Sequence, residues 1–481
     1  MKGRNTLIFI VIVFISLGVI SVVVPEEGID IGIRKLYFPA IEDIIGYNGH
    51  SKLLFERLQA IEEELRLQRY RDSLYTDSLS HYISFFEKSP IRIDLPNNTP
   101  DFFNDFFADL DSCNQRGEMV RILHYGDSQI EADRISGYIR QFLQEKFGGN
   151  GPGLLPAVQP IPAFSVGQMA SENIERYIIA GMHQNQATHG RYGVLGQFGE
   201  VDGESFISIS TRNTAYENVK EFQTIRLFVG HDTNFTARLT LQGKMPEKPT
   251  VTSTSSPVKV YLWHLPTPVR SFSLHTSGSA EIYGIAVDGN SGVAVDNIPF
   301  RGSSGTFFNT MDQQVLSSMF QHLNARLIIL EFGGNAVPVI SDRKSIESYC
   351  NSLARQINFL RNICPEAKIL FIGLSDMSTK VDGQLCTYPQ LAPLIEAMKD
   401  AATQNGAAFW NMYEVMGGNN SMIEWVNHSP ALAAPDYIHF TAKGVERIAS
   451  LFCETLMVYY DYYRLVTNNE KLTCEKSPSL E

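Results

Sequence analysis

Apolar and polar positions alternate along this chain in several distinct textures. Residues 7–24, LIFIVIVFISLGVISVVV, are eighteen positions without a charge, preceded by Lys2 and Arg4 and followed by Glu26 and Glu27. At ~1.5 Å rise per residue such a helix nearly crosses a ~30 Å hydrocarbon core. The basic flank lies before the run, which predicts a cytoplasmic N-terminus and the rest of the chain outside. Residues 1–30 are therefore read as the cytoplasmic start and a transmembrane anchor, uncleaved because no small-x-small site follows Val24. Leu53, Leu54, Leu58, Ile61 and Leu65 then recur at helical spacing among many charges. They predict a helix in a stalk or linker over residues 31–99, either free-standing or packed on the main domain.

From about residue 100 the texture is that of an α/β domain. A strand at residues 120–124 runs into GDSQIEADRISGYIRQFLQEKFGGNGPG, where Ile135, Tyr138, Ile139, Phe142 and Leu143 share one helical face and Gly148 and Gly149 end the helix. Residues 164–286 switch to short runs such as FISIS, TIRLFVG, VKVYLWHL and SFSLH, separated by turn residues, which predict a β-sandwich. Alternation then returns with RLIILEF, a helix carrying Ile346, Cys350, Leu353, Ile357 and Leu360, the strand KILFIGL, a further helix and the strand AAFWNMY. Strands alternating with helices predict a parallel sheet covered on both faces. The expected organisation is thus one α/β domain in two segments, residues 100–163 and 287–465, split by the all-β block, with a polar tail at residues 466–481.

Composition narrows the function classes. The 481 residues carry 40 basic and 52 acidic side chains, a net charge of −12, so nucleic acid is not an expected partner. The six cysteines show no C-x-x-C spacing and no histidine arrangement typical of zinc, so no metal is expected. Outside the membrane they are either supplementary disulfides or buried thiols. Gly148-Gly149-Asn150-Gly151-Pro152-Gly153 follows a helix and lacks a lysine, which excludes a phosphate loop. Tyr261, Trp263 and His264 in the all-β block either stack on sugar rings or belong to its core.

Three segments fall where loops leave the carboxyl ends of strands, the usual place for sites in open parallel sheets. They are Gly126-Asp127-Ser128-Gln129, Gly333-Gly334-Asn335 and Asp436-Tyr437-Ile438-His439. A serine hydroxyl becomes a useful nucleophile when an imidazole takes its proton and a carboxylate fixes the imidazole's tautomer. Ser128, His439 and Asp436 can supply these roles without a cofactor. A tetrahedral oxyanion also needs donors. The candidates are the Ser128 N–H, the Asn335 amide and a glycine N–H from RGSSG, either Gly302 or Gly305.

The ordered set GDS, RGSSG, GGN and DYIH resembles the blocks of the SGNH, or GDSL-type, hydrolase superfamily, over about residues 118–460 without the insert. The resemblance implies a three-layer α/β/α fold, with Ser128 as nucleophile, His439 as base and Asp436 as its orienter. It also implies an oxyanion hole of Ser128, Asn335 and a glycine, aligned to Gly305 with Gly302 in reserve. Gln129 departs from the usual leucine, and Ala336 stands where an acidic residue is frequent. Within the superfamily the chain is most similar to peptidoglycan O-acetylesterases with a carbohydrate-binding type of β-sandwich in the same gap. That implies removal of acetyl from the C6 hydroxyl of N-acetylmuramic acid by a domain held in the periplasm or cell-envelope space. The partners implied are an acetylated glycan and, through the N-terminal helix, the inner membrane. An O-acetyltransferase with the same triad, and a non-catalytic glycan-binding envelope protein, are the alternatives.

Overall fold

The computed structural model describes residues 55–63, 75–182, 185–241, 248–251 and 256–475, with eight isolated positions nearer the N-terminus. The expected membrane segment at residues 7–24 lies outside this set apart from four positions. Among the described residues, no helix is long and apolar enough to cross a membrane. Two units are distinguished, Met1–Ile61 and Glu62–Glu481. In the first, Ile29–Asp30 pairs antiparallel with Lys35–Leu36.

The second unit begins with α1 (Tyr75–Lys88), β1 (Ile93–Asp94), α2 (Asn104–Arg116), β2 (Met119–Gly126) and α3 (Ile135–Phe147). An all-β stretch comes next: β3 (Gly153–Leu155), β4 (Val166–Ala170), β5 (Glu175–Ile178), β6 (Gln197–Asp202), β7 (Ser205–Thr211), β8 (Phe222–Thr240), β9 (Thr250–Val251), β10 (Lys259–Val269) and β11 (Ser271–Asp288). The chain then resumes alternation with β12 (Gly292–Pro299), α4 (Gln313–Leu323), β13 (Ala325–Glu331), α5 (Arg343–Ile363), β14 (Lys368–Ile372) and a small hairpin, β15 (Ser378–Val381) with β16 (Gln384–Thr387). It ends with α6 (Leu391–Gln404), β17 (Ala408–Trp410), α7 (Met412–Met416), α8 (Ser421–Asn427) and α9 (Ala442–Glu475).

The α/β sheet has the order β12-β2-β13-β14-β17-β1, parallel except for the edge strand β1. Helices α2, α3 and α9 associate with one another, as do α4, α5 and α6, giving a layer on each face. Helix ends follow local chemistry. Asp312 caps α4 by accepting from Gln314 and Val315 N–H, and Asp342 with Ser345 forms a capping box on α5. The strand order turns back at β2, which has β12 on one side and β13 on the other. The loops after β2 and β13 therefore open a crevice at that switch point.

The nine all-β strands belong to one antiparallel sheet rather than the two sheets of a sandwich. The long strands β8 and β11 carry it through, with register shifts at residues 228/229, 230/233 and 233/236 that let the sheet bend over its own core. Tyr261 and Trp263 are buried in that core among Leu227, Val229 and Ile282, so they are core residues. Alternate residues on the same strands, Phe228 and Tyr283, point the other way into the core shared with α4 and β2. The insert is thus continuous with the α/β core. The glycine-rich run after α3 is what lets the chain make this passage. Gly149 and Gly151 have φ of 117° and 90°, and a Cβ on them would lie 2.4 Å from Val293 O and 2.3 Å from Val287 O.

Several boundaries differ from the sequence expectation. The fold reaches back before residue 100: β1 pairs with β17, and Phe86 of α1 stacks on Tyr459 of α9 at 4.6 Å, while residues 55–63, inside the expected Leu53–Leu65 helix, are helical. The all-β sheet starts at Gly153, where β3 pairs with β11. Helix α9 continues through the polar segment to Glu475, since Glu470, Lys471 and Leu472 are good helix formers and the next proline is Pro478. Cys113, Cys350, Cys364 and Cys386 are free thiols.

The junction of the two sheets is ionic. Arg121, fully buried on β2, donates to Asp296 of β12 at 2.6 Å and to Asp288 at the end of β11 at 2.5 Å, and Arg226 of β8 also reaches Asp288 at 3.0 Å. Removing a single partner from such a cluster leaves charge uncompensated. Arg121→Met should therefore lower stability by about 3–5 kcal/mol in urea unfolding, and a loss below about 1 kcal/mol would show that the two aspartates do not depend on it.

Candidate active site

The loop after β2 turns sharply at Gly126, where a Cβ would press on Glu331 O and Ile130 at 3.0 Å, and presents Ser128 partly exposed. Ser128 Oγ lies 2.8 Å from His439 Nε2, and His439 Nδ1 lies 2.7 Å from Asp436 Oδ2. The second Asp436 oxygen accepts the backbone N–H groups of Ile438 and His439 at 3.0 and 3.1 Å. Burial works to raise the Asp436 pKa, but the His439 side chain and these two N–H groups together hold it below the usual carboxylate value. An ionised Asp436 is acceptor only, so Nδ1 carries the proton and Nε2 is free to receive that of Ser128. The turn is tight enough to put Tyr437 in the left-handed region at φ 58°.

Asn335, after β13, also faces Ser128 across a cavity of about 190 Å³. Its Nδ2 donates to Asp127 Oδ2 and to the Ser303 carbonyl, both at 3.0 Å. The Ser128 N–H has no hydrogen-bond partner among the described residues. Gly305 is elsewhere: it does not line the cavity, its N–H is donated to Ser303 Oγ at 3.2 Å, and its Cα packs on the Phe332 ring. Gly302 does not line the cavity either. The RGSSG turn thus reaches the site through the Ser303 carbonyl and not through a glycine N–H. Among the described residues, no group of three or more His, Cys, Asp and Glu converges as a metal site would.

Three residues hold the parts in register, and sequence reasoning gave them no role. Gln129 Nε2 donates to the Ile438 carbonyl at 2.6 Å, joining the nucleophile loop to the histidine loop. Arg134 donates to the carbonyls of Ser128, Gln129, Glu131 and Phe440 at 3.0 to 3.2 Å, closing the same gap from the other side. Asp127, buried, accepts Gln129 N–H at 3.0 Å as well as the Asn335 amide. Burial pushes the Asp127 carboxyl up to about 7; the nearby Glu331 charge adds to this, while the Gln129 N–H and the Asn335 amide act against it. The one available signal was Gln129, a polar residue where the family pattern has leucine.

The sequence model of the GDSL-like lipase/acylhydrolase family matches residues 277–447, which contain Asn335, Asp436 and His439. Over these residues the chain is similar to the GDSL-like lipase/acylhydrolase family. The family so matched is one of lipases and acylhydrolases, which cleave carboxylic esters. The match covers little of the insert and nothing before it, so the loop that carries Ser128 lies outside it and is joined to it by the fold. A solved structure of a peptidoglycan O-acetylesterase aligns at 21% identity over 75% of this chain and 96% of that one, with a TM-score of 0.59. A family two carbohydrate esterase from Cellvibrio japonicus aligns at 11% identity over 62% and 99% of the two chains, with a TM-score of 0.24. No curated protein sequence matches the chain.

The positioning residues can be tested separately. Gln129→Leu restores the family's usual residue but orphans the Ile438 carbonyl, so kcat on an aryl acetate should fall on the order of tenfold with the melting temperature little changed; an unchanged kcat would remove Gln129 from this role. For Asp127, the raised folded-state pKa means that the folded protein keeps a proton the unfolded chain releases near pH 3.8. The stability this confers is complete below that pH and is lost as pH rises through about 7. The stability difference between the parent and Asp127→Asn, measured by urea unfolding, should therefore move against the parent by up to ~1.4 kcal/mol per pH unit as pH rises from about 5 to about 7. A pH-independent difference would contradict the assignment.

Proposed function

We propose that this chain is an extracytoplasmic serine esterase that removes O-acetyl groups from a glycan, and that the glycan is peptidoglycan acetylated at the C6 hydroxyl of N-acetylmuramic acid. The observation that carries the reading is the chain of short hydrogen bonds from Asp436 through His439 to Ser128, ending at a small cavity. Its walls include Ile372, Leu374, Met377 and Met412, apolar surroundings suited to a short acyl group. Neighbouring structures include an enzyme named as a peptidoglycan O-acetylesterase, and the apolar run at residues 7–24 accords with export to a cell-wall substrate.

In this reading His439 Nε2 takes the Ser128 proton as Oγ attacks the acetyl carbonyl carbon. Asp436 stabilises the resulting imidazolium. The carbonyl oxygen becomes an oxyanion that the free Ser128 N–H receives, together with the Asn335 amide, one of whose protons turns from Asp127 or Ser303 toward it. Collapse of the tetrahedral intermediate breaks the ester C–O bond, and His439 returns its proton to the departing sugar hydroxyl. Water, deprotonated by the same imidazole, then attacks the acetyl-serine and releases acetate.

The test is acetate release from O-acetylated peptidoglycan by the full chain in detergent, beside Ser128→Ala and His439→Ala. Both variants should lose nearly all turnover while keeping the parent's melting temperature, and Asn335→Ala should lose about 2.7–4 kcal/mol of transition-state stabilisation. Turnover surviving in Ser128→Ala would sink the proposal. Acetate appearing only when a second glycan is supplied as acceptor would move it to acetyl transfer.

A further inference from the structure

A second cavity, about 430 Å³, opens beside the nucleophile turn. One wall belongs to the α/β domain: Glu131 and Ala132, which come shortly after Ser128 in the chain, and Arg301, the first residue of the RGSSG turn. The other wall belongs to the insert and includes Ile161, Arg176 and Gln197. Its volume falls in the ~300–1,000 Å³ range of small-molecule sites. We propose that this cavity is the glycan subsite adjoining Ser128, and that Arg176 there holds a carboxylate carried by the acetylated glycan strand. The inference rests on the glycan esterase reading.

Charge pairing within the cavity singles out one residue. Two acids and three arginines line it. Asp133 is engaged by Arg140 through both oxygens at 2.7 and 2.8 Å and also accepts from Ser165 Oγ. Glu131 is reached by Arg301 at 3.5 Å. That leaves Arg176, on the edge region of β5, without a carboxylate. Its Nε donates to the buried Gln197 Oε1 at 2.6 Å, which fixes the guanidinium plane, while the two terminal nitrogens make no hydrogen bond among the described residues. Its strand neighbours Glu175 and Tyr177 project from the opposite face of β5. Burial lowers the Arg176 pKa, and no acidic side chain acts to raise it back. A partly buried guanidinium lacking a counter-charge, at the wall of a cavity and with both terminal nitrogens unengaged among the described residues, is matched by the two oxygens of a carboxylate.

In a cell-wall glycan the carboxylate comes from one of two sources, the lactyl group of the sugar or the peptide attached to it. The experiment uses the full chain in detergent, with Arg176→Gln and Arg176→Lys. Its substrates are 6-O-acetyl-N-acetylmuramic acid, the corresponding N-acetylglucosamine ester without the lactyl carboxylate, and a 6-O-acetylated muramyl peptide. The parent should favour one acidic substrate over the neutral ester, and the acidic substrate favoured identifies the source. In Arg176→Gln that preference should collapse by on the order of 10- to 100-fold, through KM, with the neutral ester unaffected and Arg176→Lys intermediate. Equal losses on all three substrates, or a preference that survives Arg176→Gln, would overturn the proposal. Should the parent hydrolyse none of them, the esterase reading fails separately, and saturation-transfer NMR with N-acetylmuramic acid and N-acetylglucosamine decides the site. Binding of the acid alone that is lost in Arg176→Gln upholds it, and the absence of such binding ends it.

Discussion

Arg121 sits on β2 with no access to water, and its charge has to be balanced where it stands. The two carboxylates that balance it come from different parts of the chain, Asp296 on the neighbouring strand and Asp288 at the last residue of the insert. Leu154 N–H, at the first residues of the insert, also binds Asp296, at 2.7 Å. Both crossings between the insert and the α/β domain are therefore tied to the Arg121–Asp296 pair, which joins β2 to β12. Desolvation offsets much of the attraction in a buried cluster of this kind, so its main consequence here is register rather than net stability. With β2 held against β12 on one side and β13 on the other, the ends of β2 and β13 are placed side by side, and the Asp127 N–H reaches the Glu331 carbonyl at 3.2 Å.

The site is assembled from that edge outward. Ser128, Asn335 and the histidine turn belong to three loops far apart in sequence, and polar contacts bridge the nucleophile loop to each of the other two. Asp127 links it to Asn335, while Gln129 and Arg134 link it to the histidine turn. A catalytic hydrogen bond such as that between Ser128 and His439 depends on positioning to a fraction of an ångström. Contacts from side chain to backbone carbonyl supply that positioning, because they fix the path of the loop and not only one rotamer.

Much of this was legible in the sequence, for identifiable reasons. The helix–strand alternation and the ordered blocks carrying Ser128, Asn335, Asp436 and His439 are local patterns, and the last strand positions before the Ser128 and Asn335 blocks set where those loops emerge, whereas the histidine turn, expected after a strand, follows helix α8. What was not legible depends on tertiary packing. Gly305 and Gly302 share one motif, and only the folded turn shows that Gly305 N–H goes to Ser303 and that neither glycine lines the cavity. A β-sandwich was expected because short alternating runs look alike in two sheets or in one; the continuous strands β8 and β11 appear as such only through their pairing. Tyr261 and Trp263 illustrate the same point, since an aromatic on an alternating strand faces solvent or core according to which side of the sheet is covered. Gln129 looked like a departure from the family and proves to be a bridge between loops.

The central claim is that Ser128 is the activated nucleophile of this assembly. Its most direct test is labelling of the full chain with an irreversible phosphonate ester, followed by peptide mapping by mass spectrometry. The account predicts one label per chain on Ser128 Oγ, formed in parallel with loss of esterase activity and prevented by His439→Ala. Labelling at another residue in parallel with inactivation, or full activity in a chain labelled at Ser128, would contradict it.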